Sequence, residues 1–121
     1  MTNVVDGAAL DFIDLPRLSA LFGNAIDNAI EACKQIPDVD RRLLKVSVFT
    51  RGGLVMIRVE NFWDRPVEFV RGMPRTTKHD RSRHGFGTRS MRRIVEELGG
   101  SIAFEHDGKW FTVRMLVPTP P

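Results

Sequence analysis

Asn24 and Asn28 stand four residues apart in a stretch whose apolar residues repeat at helical spacing, and this pair is the first hint of chemistry in the chain. On a helix turning about 100° per residue, with its buried stripe centred near Ala25, they fall about 100° and 60° to the same side. Glu31 and Gln35 lie close to them, whereas Asp27 and Lys34 point towards water. Asparagine is a mediocre helix former and costly to bury unpaired. Such a pair either solvates a helix edge or offers amide oxygens and donors to a metal ion and a phosphate group. His84-Gly85-Phe86-Gly87 forms a second cluster, at the mouth of another helical stretch. Glycines there let the backbone approach a ligand, and free N–H groups at a helix N-terminus favour phosphate. The plainer alternative is a flexible loop exit. Thr76-Thr77-Lys78 adds hydroxyls and a cation just upstream. Asn61, ending a strand-like run, is either a hydrogen-bonding residue in a pocket rim or a strand-end cap.

These residues need elements to hold them. Asp14-Leu15-Pro16 reads as a helix start, with Asp as N-cap and proline in the first turn. Leu18, Leu21, Phe22, Ala25, Ala29, Ala32, Cys33 and Ile36 then keep the spacing of one buried face, up to a stop at Pro37-Asp38. Leu43 to Thr50 and Leu54 to Phe62 predict two strands joined at Arg51-Gly52-Gly53. Periodicity disappears from Trp63 to His84, a stretch with two prolines (Pro66 and Pro74) and many charges. A loop this long is usually functional or disordered, and its composition predicts poor order between about Gly72 and Arg83. Helical spacing returns from about Gly87 through Leu98 and stops at Gly99-Gly100. Ser101 to Glu105 and Trp110 to Val117 predict a last hairpin, turned at Asp107-Gly108. The segment 1–14 has no assigned role. The expected class is α+β, a two-layer sandwich with helices on one face of a mostly antiparallel sheet.

Composition sets the outer limits. A chain of 121 residues with 42% apolar and 27% charged residues is the size and type of one globular domain. No apolar run approaches the ~20 residues needed to span a bilayer, and no basic-then-apolar leader opens the chain. One cysteine, Cys33, excludes an intramolecular disulfide framework and a multi-cysteine zinc site, and on the buried stripe it reads as an inert small hydrophobe. The net charge is only +3, yet nine of the 18 basic residues lie between Arg65 and Arg93, against Glu68 and Asp80 alone. Such asymmetry suggests an anionic partner at one place on the surface. Nucleic acid is the weakest choice, because prolines and glycines interrupt the arginines and only Phe69 and Phe86 are aromatic there. Trp63 and Trp110 read as core or rim packing rather than ligand stacking.

Taken in order, the motifs resemble one family. Gly23-Asn24-Ala25-Ile26-Asp27-Asn28-Ala29-Ile30-Glu31-Ala32 is similar to the N box of the GHKL ATP-binding superfamily. His84-Gly85-Phe86-Gly87-Thr88-Arg89-Ser90-Met91 resembles its second glycine box, and Thr76-Thr77-Lys78 the stretch before that box in the ATP lid. The likeness runs from about Leu15 to Pro118 and is nearest to the catalytic domain of sensor histidine kinases of the AgrC-like branch. It implies a shortened Bergerat-type ATP-binding fold over residues 1–121, with segment 63–84 as the lid.

By the same resemblance the ATP site comprises Asn24, Asn28, Asn61, Thr77, Lys78, His84, Gly85 and Gly87. Asn28 would hold the Mg²⁺ that bridges the phosphates, and Asn24 would support it from one turn earlier. Asn61 would face the adenine amino group. Thr77, Lys78 and the backbone at Gly85 and Gly87 would hold the phosphates. Six positions depart from the family pattern. Asn61 replaces the usual Asp, Phe62-Trp63-Asp64 replaces the glycines after it, Thr88 stands where leucine is common, and Glu31 where many kinases have lysine. Hydrolytic members carry a glutamate at the position of Asn24, and asparagine is no general base.

The implied function is therefore transfer of the ATP γ-phosphoryl group to a histidine on a separate dimerisation domain, with a response regulator downstream. No residue of this chain is assigned a catalytic role. The alternative is a degenerate docking module without transfer. The expected location is a cytoplasmic domain, tied to a membrane only through other parts of a parent protein, with no nucleic-acid partner.

Overall fold

The computed structural model describes the backbone of residues 2–5, 7–75 and 84–120, and side chains over 8–75 and 87–120. Helix α1 spans Leu15–Lys34. Asp14 caps it, its carboxylate accepting from the Arg17 N–H at 3.2 Å, so one orphan donor of the first turn is satisfied. The helix ends two residues before the expected Ile36, with Gln35 as C-cap. Leu21, Ala25 and Ala29 are its fully buried residues, which places the stripe where the sequence spacing puts it.

Strands β2 (Leu44–Arg51) and β3 (Leu54–Phe62) pair antiparallel through Gly52 and Gly53, whose φ values of 57° and 78° are the left-handed pair a two-residue hairpin needs. Strands β6 (Ser101–His106) and β7 (Trp110–Pro118) form the last hairpin, where Asp107 accepts from the N–H groups of Lys109 and Trp110. The unassigned N-terminus supplies β1 (Thr2–Val5), parallel to β2, and a short 3₁₀ turn that brings Leu10 into the core. The main sheet runs β1-β2-β3-β7-β6, so the long β3 and β7 sit beside each other at its centre.

Helix α2 spans His84–Glu97. It starts three residues before the expected Gly87, so Gly85 and Gly87 belong to its first turn rather than to a loop ahead of it. The intervening stretch is not featureless either. Strands β4 (Phe69–Val70) and β5 (Met73–Pro74) form a small hairpin, turned by Arg71 and Gly72 at φ 54° and 76°. Gly72 to Arg75, the first part of the stretch expected to be poorly ordered, include the turn and second strand of this hairpin. The rest of that expectation, residues 76–83, falls outside the described residues.

The core lies between the two helices and one sheet face. Val48, Val55, Ile57, Met91, Val95, Met115 and Val117 are wholly buried there. Each such side chain contributes about 1.5–3 kcal/mol by leaving water, and together they fix α1 and α2 over β3 and β7. The result is an α+β sandwich with helices on one face of a mostly antiparallel sheet, as the sequence predicts.

Candidate functional site

The packing of α1 is deliberately thin where it crosses the sheet. Ala25, Ala29 and Ala32 share one side of the helix, and the space they leave becomes a cavity of about 230 Å³. Val59 and Asn61 of β3, Val113 and Phe111 of β7, and Thr88 of α2 also line it. The segment after β3 closes the remaining side with Trp63, Pro66, Val67, Glu68, Pro74 and Arg75. Most of this wall is apolar, and its polar groups converge from different places: Asn28 from α1, Gln35 from the α1 C-cap, Asn61 from β3 and Thr88 from α2. Concave, largely apolar sites with a few converging polar groups are the usual form of small-molecule pockets.

Asn61 is the most constrained of these. It sits opposite Phe111 in the β3–β7 ladder with only 4% of its surface exposed. Its amide N–H donates to the carbonyl of Phe62 at 3.3 Å. The amide oxygen accepts no hydrogen bond among the described residues, which leaves it as an acceptor for whatever fills the cavity. Asn28 lines the cavity from α1 and is half-buried. Asn24, one turn earlier, does not line it. It packs against the first turn of α2 instead, where a Cβ on Gly87 would stand 3.2 Å from Asn24 Oδ1.

The closing segment is fastened at several points. The Trp63 N–H donates to the Lys109 carbonyl at 2.7 Å, and His106 Nε2 lies 2.7 Å from the Trp63 carbonyl oxygen. That oxygen can only accept, so this ring nitrogen carries the proton. Arg65 donates to the Gln35 carbonyl at 2.8 Å, which ties the segment to the end of α1. The Phe69 ring stacks on Phe111 with centroids 6.5 Å apart. Glu68 and Arg75, the charged residues of the cavity wall, approach each other to 3.4 Å and leave it close to neutral.

Of the residues singled out in the sequence, Asn28 and Asn61 meet at one cavity, while Asn24 and Gly87 meet beside it. Gly85 and the backbone of His84 lie in the first turn of α2. Thr77, Lys78 and the side chain of His84 lie outside the described residues. Glu31 faces Lys34 at 3.4 Å and does not line the cavity. Cys33 is half-buried with its thiol 3.7 Å from the Leu43 carbonyl, and burial pushes its pKa up. Trp63, Thr88, Phe111 and Arg75 are cavity residues that the sequence reading did not place there. No local signal marked Trp63, which stands two positions past Asn61 at the start of a long irregular stretch. Oxygen donors of the Asn24 and Asn28 type suit a hard cation such as Mg²⁺, which takes only one or two protein ligands when phosphates and water supply the rest. Among the described residues no cluster of three or more His, Cys, Asp or Glu could hold a metal by itself. No helix among them is long and apolar enough to cross a membrane.

Comparisons with known proteins identify the family and the fold. The GHKL domain matches residues 12–118. No curated protein matches as a relative. Among solved structures, the chain is similar to Acinetobacter baumannii histidine kinase AdeS at 18% identity and a TM-score of 0.61, covering 89% of this chain and 48% of that one. It is also similar to the catalytic domain of histidine kinase ThkA at 23% identity and a TM-score of 0.63, covering 89% of this chain and 70% of that one. The Erythrobacter litoralis EL346 blue-light activated histidine kinase matches at 20% identity and a TM-score of 0.53, over 84% of this chain and 29% of that one. At these identities the likeness establishes a shared fold, and the chain spans about half or less of two of the three proteins.

Proposed function

The chain belongs to the GHKL domain family, and from that premise we propose that it is the ATP- and Mg²⁺-binding catalytic domain of a two-component sensor histidine kinase, within the AgrC-like branch. Residues 1–121 act as one ATP-binding unit, with 63–84 as its lid. The observation that carries this reading is the convergence of Asn28, Asn61 and Thr88 on one apolar cavity, beside the Asn24–Gly87 contact. A near-neutral, apolar slot suits a heterocyclic base rather than a polyphosphate. The phosphates then belong at the Asn24, Asn28 and Gly87 end, where amide oxygens and the first turn of α2 offer a metal ligand and N–H donors.

In this arrangement each group has one task. The Asn61 oxygen accepts from the exocyclic amine of adenine. Asn28 ligates Mg²⁺, and Asn24 supports it from the α1–α2 contact. Gly85 and Gly87 keep side chains away from the phosphates, and Thr77, Lys78 and His84 complete the site from the lid side. Bound Mg²⁺ neutralises charge on the transferring phosphoryl group. No carboxylate stands at position 24 to activate water, so the domain favours transfer over hydrolysis. The acceptor is a histidine on a separate dimerisation domain, a response regulator follows, and membrane attachment belongs to other parts of the parent protein. A docking module without transfer is the second reading. The neutral Asn61 and the bulky Phe62-Trp63-Asp64 in place of glycines favour it.

Thermal unfolding with a non-hydrolysable ATP analogue, with and without Mg²⁺, separates the two. A ligand at ~100 times its dissociation constant adds about 2.7 kcal/mol, which is several degrees for a domain of this size. The expected result is a Mg²⁺-dependent upward shift that is lost in Asn28→Ala. Absence of any shift at millimolar nucleotide would favour the docking module.

A further inference from the structure

Trp63 belongs to the Phe62-Trp63-Asp64 stretch that stands where the GHKL resemblance leads one to expect glycines, and it is built into the cavity wall rather than lying loosely on the surface. Its backbone is held on both sides, by the Lys109 carbonyl and by His106 Nε2, each at 2.7 Å. The Arg65 guanidinium sits 5.2 Å from the indole centroid, and Arg65 is itself anchored to the Gln35 carbonyl at 2.8 Å. Arg65 does not line the cavity, so the guanidinium supports the ring without filling the space in front of it. The other tryptophan is placed quite differently. Trp110 meets Phe62 edge-on at 6.1 Å, has the Lys45 ammonium 4.1 Å from its ring centroid, and takes no part in the cavity.

We propose that Trp63 is a base-contacting, specificity-determining residue: the nucleotide base packs against its indole and hydrogen-bonds to the neutral amide of Asn61. This rests on the nucleotide-binding reading above and adds to it the group that compensates for the missing carboxylate. A buried amide oxygen accepts a hydrogen bond without the strength that charge would give it. Contact between an indole and a heterocycle returns part of that loss, because every base offers an apolar ring surface. Selectivity then follows ring size. A purine covers more of the indole than a pyrimidine does, so the tryptophan raises the preference for ATP over CTP.

Two measurements on the intact chain test this. In Trp110→Phe, which keeps an aromatic ring beside Phe62, Trp63 is the sole tryptophan, and ATP with Mg²⁺ should change its emission saturably. Calorimetric titration of wild type, Trp63→Phe and Trp63→Ala with ATP and with CTP should show about tenfold weaker ATP binding in Trp63→Ala. The ATP-to-CTP ratio should fall with it, and Trp63→Phe should restore most of both. ATP binding unchanged in Trp63→Ala, or weakened equally with CTP, overturns the proposal, since a merely structural tryptophan would affect both nucleotides alike. Failure of wild type to bind either nucleotide would instead remove the nucleotide-binding reading, and this proposal with it.

Discussion

Asn24 and Gly87 are in such close contact that a methyl group on the glycine would stand 3.2 Å from the asparagine's amide oxygen. This is where α1 and α2 meet, and it ties the first turn of α2 to a residue of the proposed phosphate end. The glycine therefore serves proximity, since its φ is not in the left-handed region. Gly100, at the turn into β6, is constrained far more severely, because a Cβ there would run into the Leu116 carbonyl oxygen.

The two glycines should respond differently to alanine. In Gly87→Ala the asparagine side chain can turn aside, and helix propensity gains up to about 1 kcal/mol, so urea unfolding should change by less than about 1 kcal/mol either way. The Mg²⁺-dependent nucleotide shift should nevertheless shrink, because Asn24 has moved. Gly100→Ala places its methyl against backbone, which cannot turn aside, and should cost about 2 kcal/mol or more. Equal losses of stability in the two variants would show that the Asn24 contact is as rigid as the backbone one.

Much of the fold was legible because its signals are local. Asp14, the alternation of Val55, Ile57 and Val59, and the Gly52-Gly53 turn each act within a few residues, and each is found where the pattern puts it. The exceptions depend on partners far along the chain. Thr2–Val5 is a strand because it lies beside β2, more than forty positions on, and four residues cannot announce a parallel partner. The Phe69–Pro74 hairpin is held by a ring stacked on Phe111. The site divides in the same way. Asn24 and Asn28 follow from helical spacing and Gly87 from a glycine pair at a helix mouth, whereas the cavity exists only because Ala25, Ala29 and Ala32 face Val59 and Val113 across the core. Trp63 read as packing because no local rule distinguishes a ring that fills a core from one that walls a cavity.

Acid should weaken the start of α1. The Arg17 side chain and backbone N–H hydrogen-bond to Asp14 and lower its pKa below the ordinary 3.8. A depressed folded-state pKa means that this stabilisation is present above the unfolded value and lost as pH falls through the folded one. Asp14→Asn keeps a good cap but removes the charge. Wild type should therefore be the more stable protein at pH 6, and its advantage should narrow below pH 4 in thermal melts. An advantage that stays constant across this range would assign the effect to cap geometry rather than to charge.

The cavity itself can be filled from α1. Ala29 is 2% exposed and contributes to both the core and the cavity wall. Three further carbons at this position have about 230 Å³ of space in front of them, so Ala29→Leu need not displace the sheet. The added side chain removes apolar surface from water where alanine leaves a gap, which offsets any local repacking. The unfolding free energy without ligand should stay within about 1 kcal/mol of wild type. The leucine would stand in the space assigned to the base, and the thermal shift with ATP and Mg²⁺ should disappear. A variant that folds as well as wild type and still shows the full shift would place the base elsewhere, whereas loss of the shift without loss of stability would locate it between α1 and the centre of the sheet.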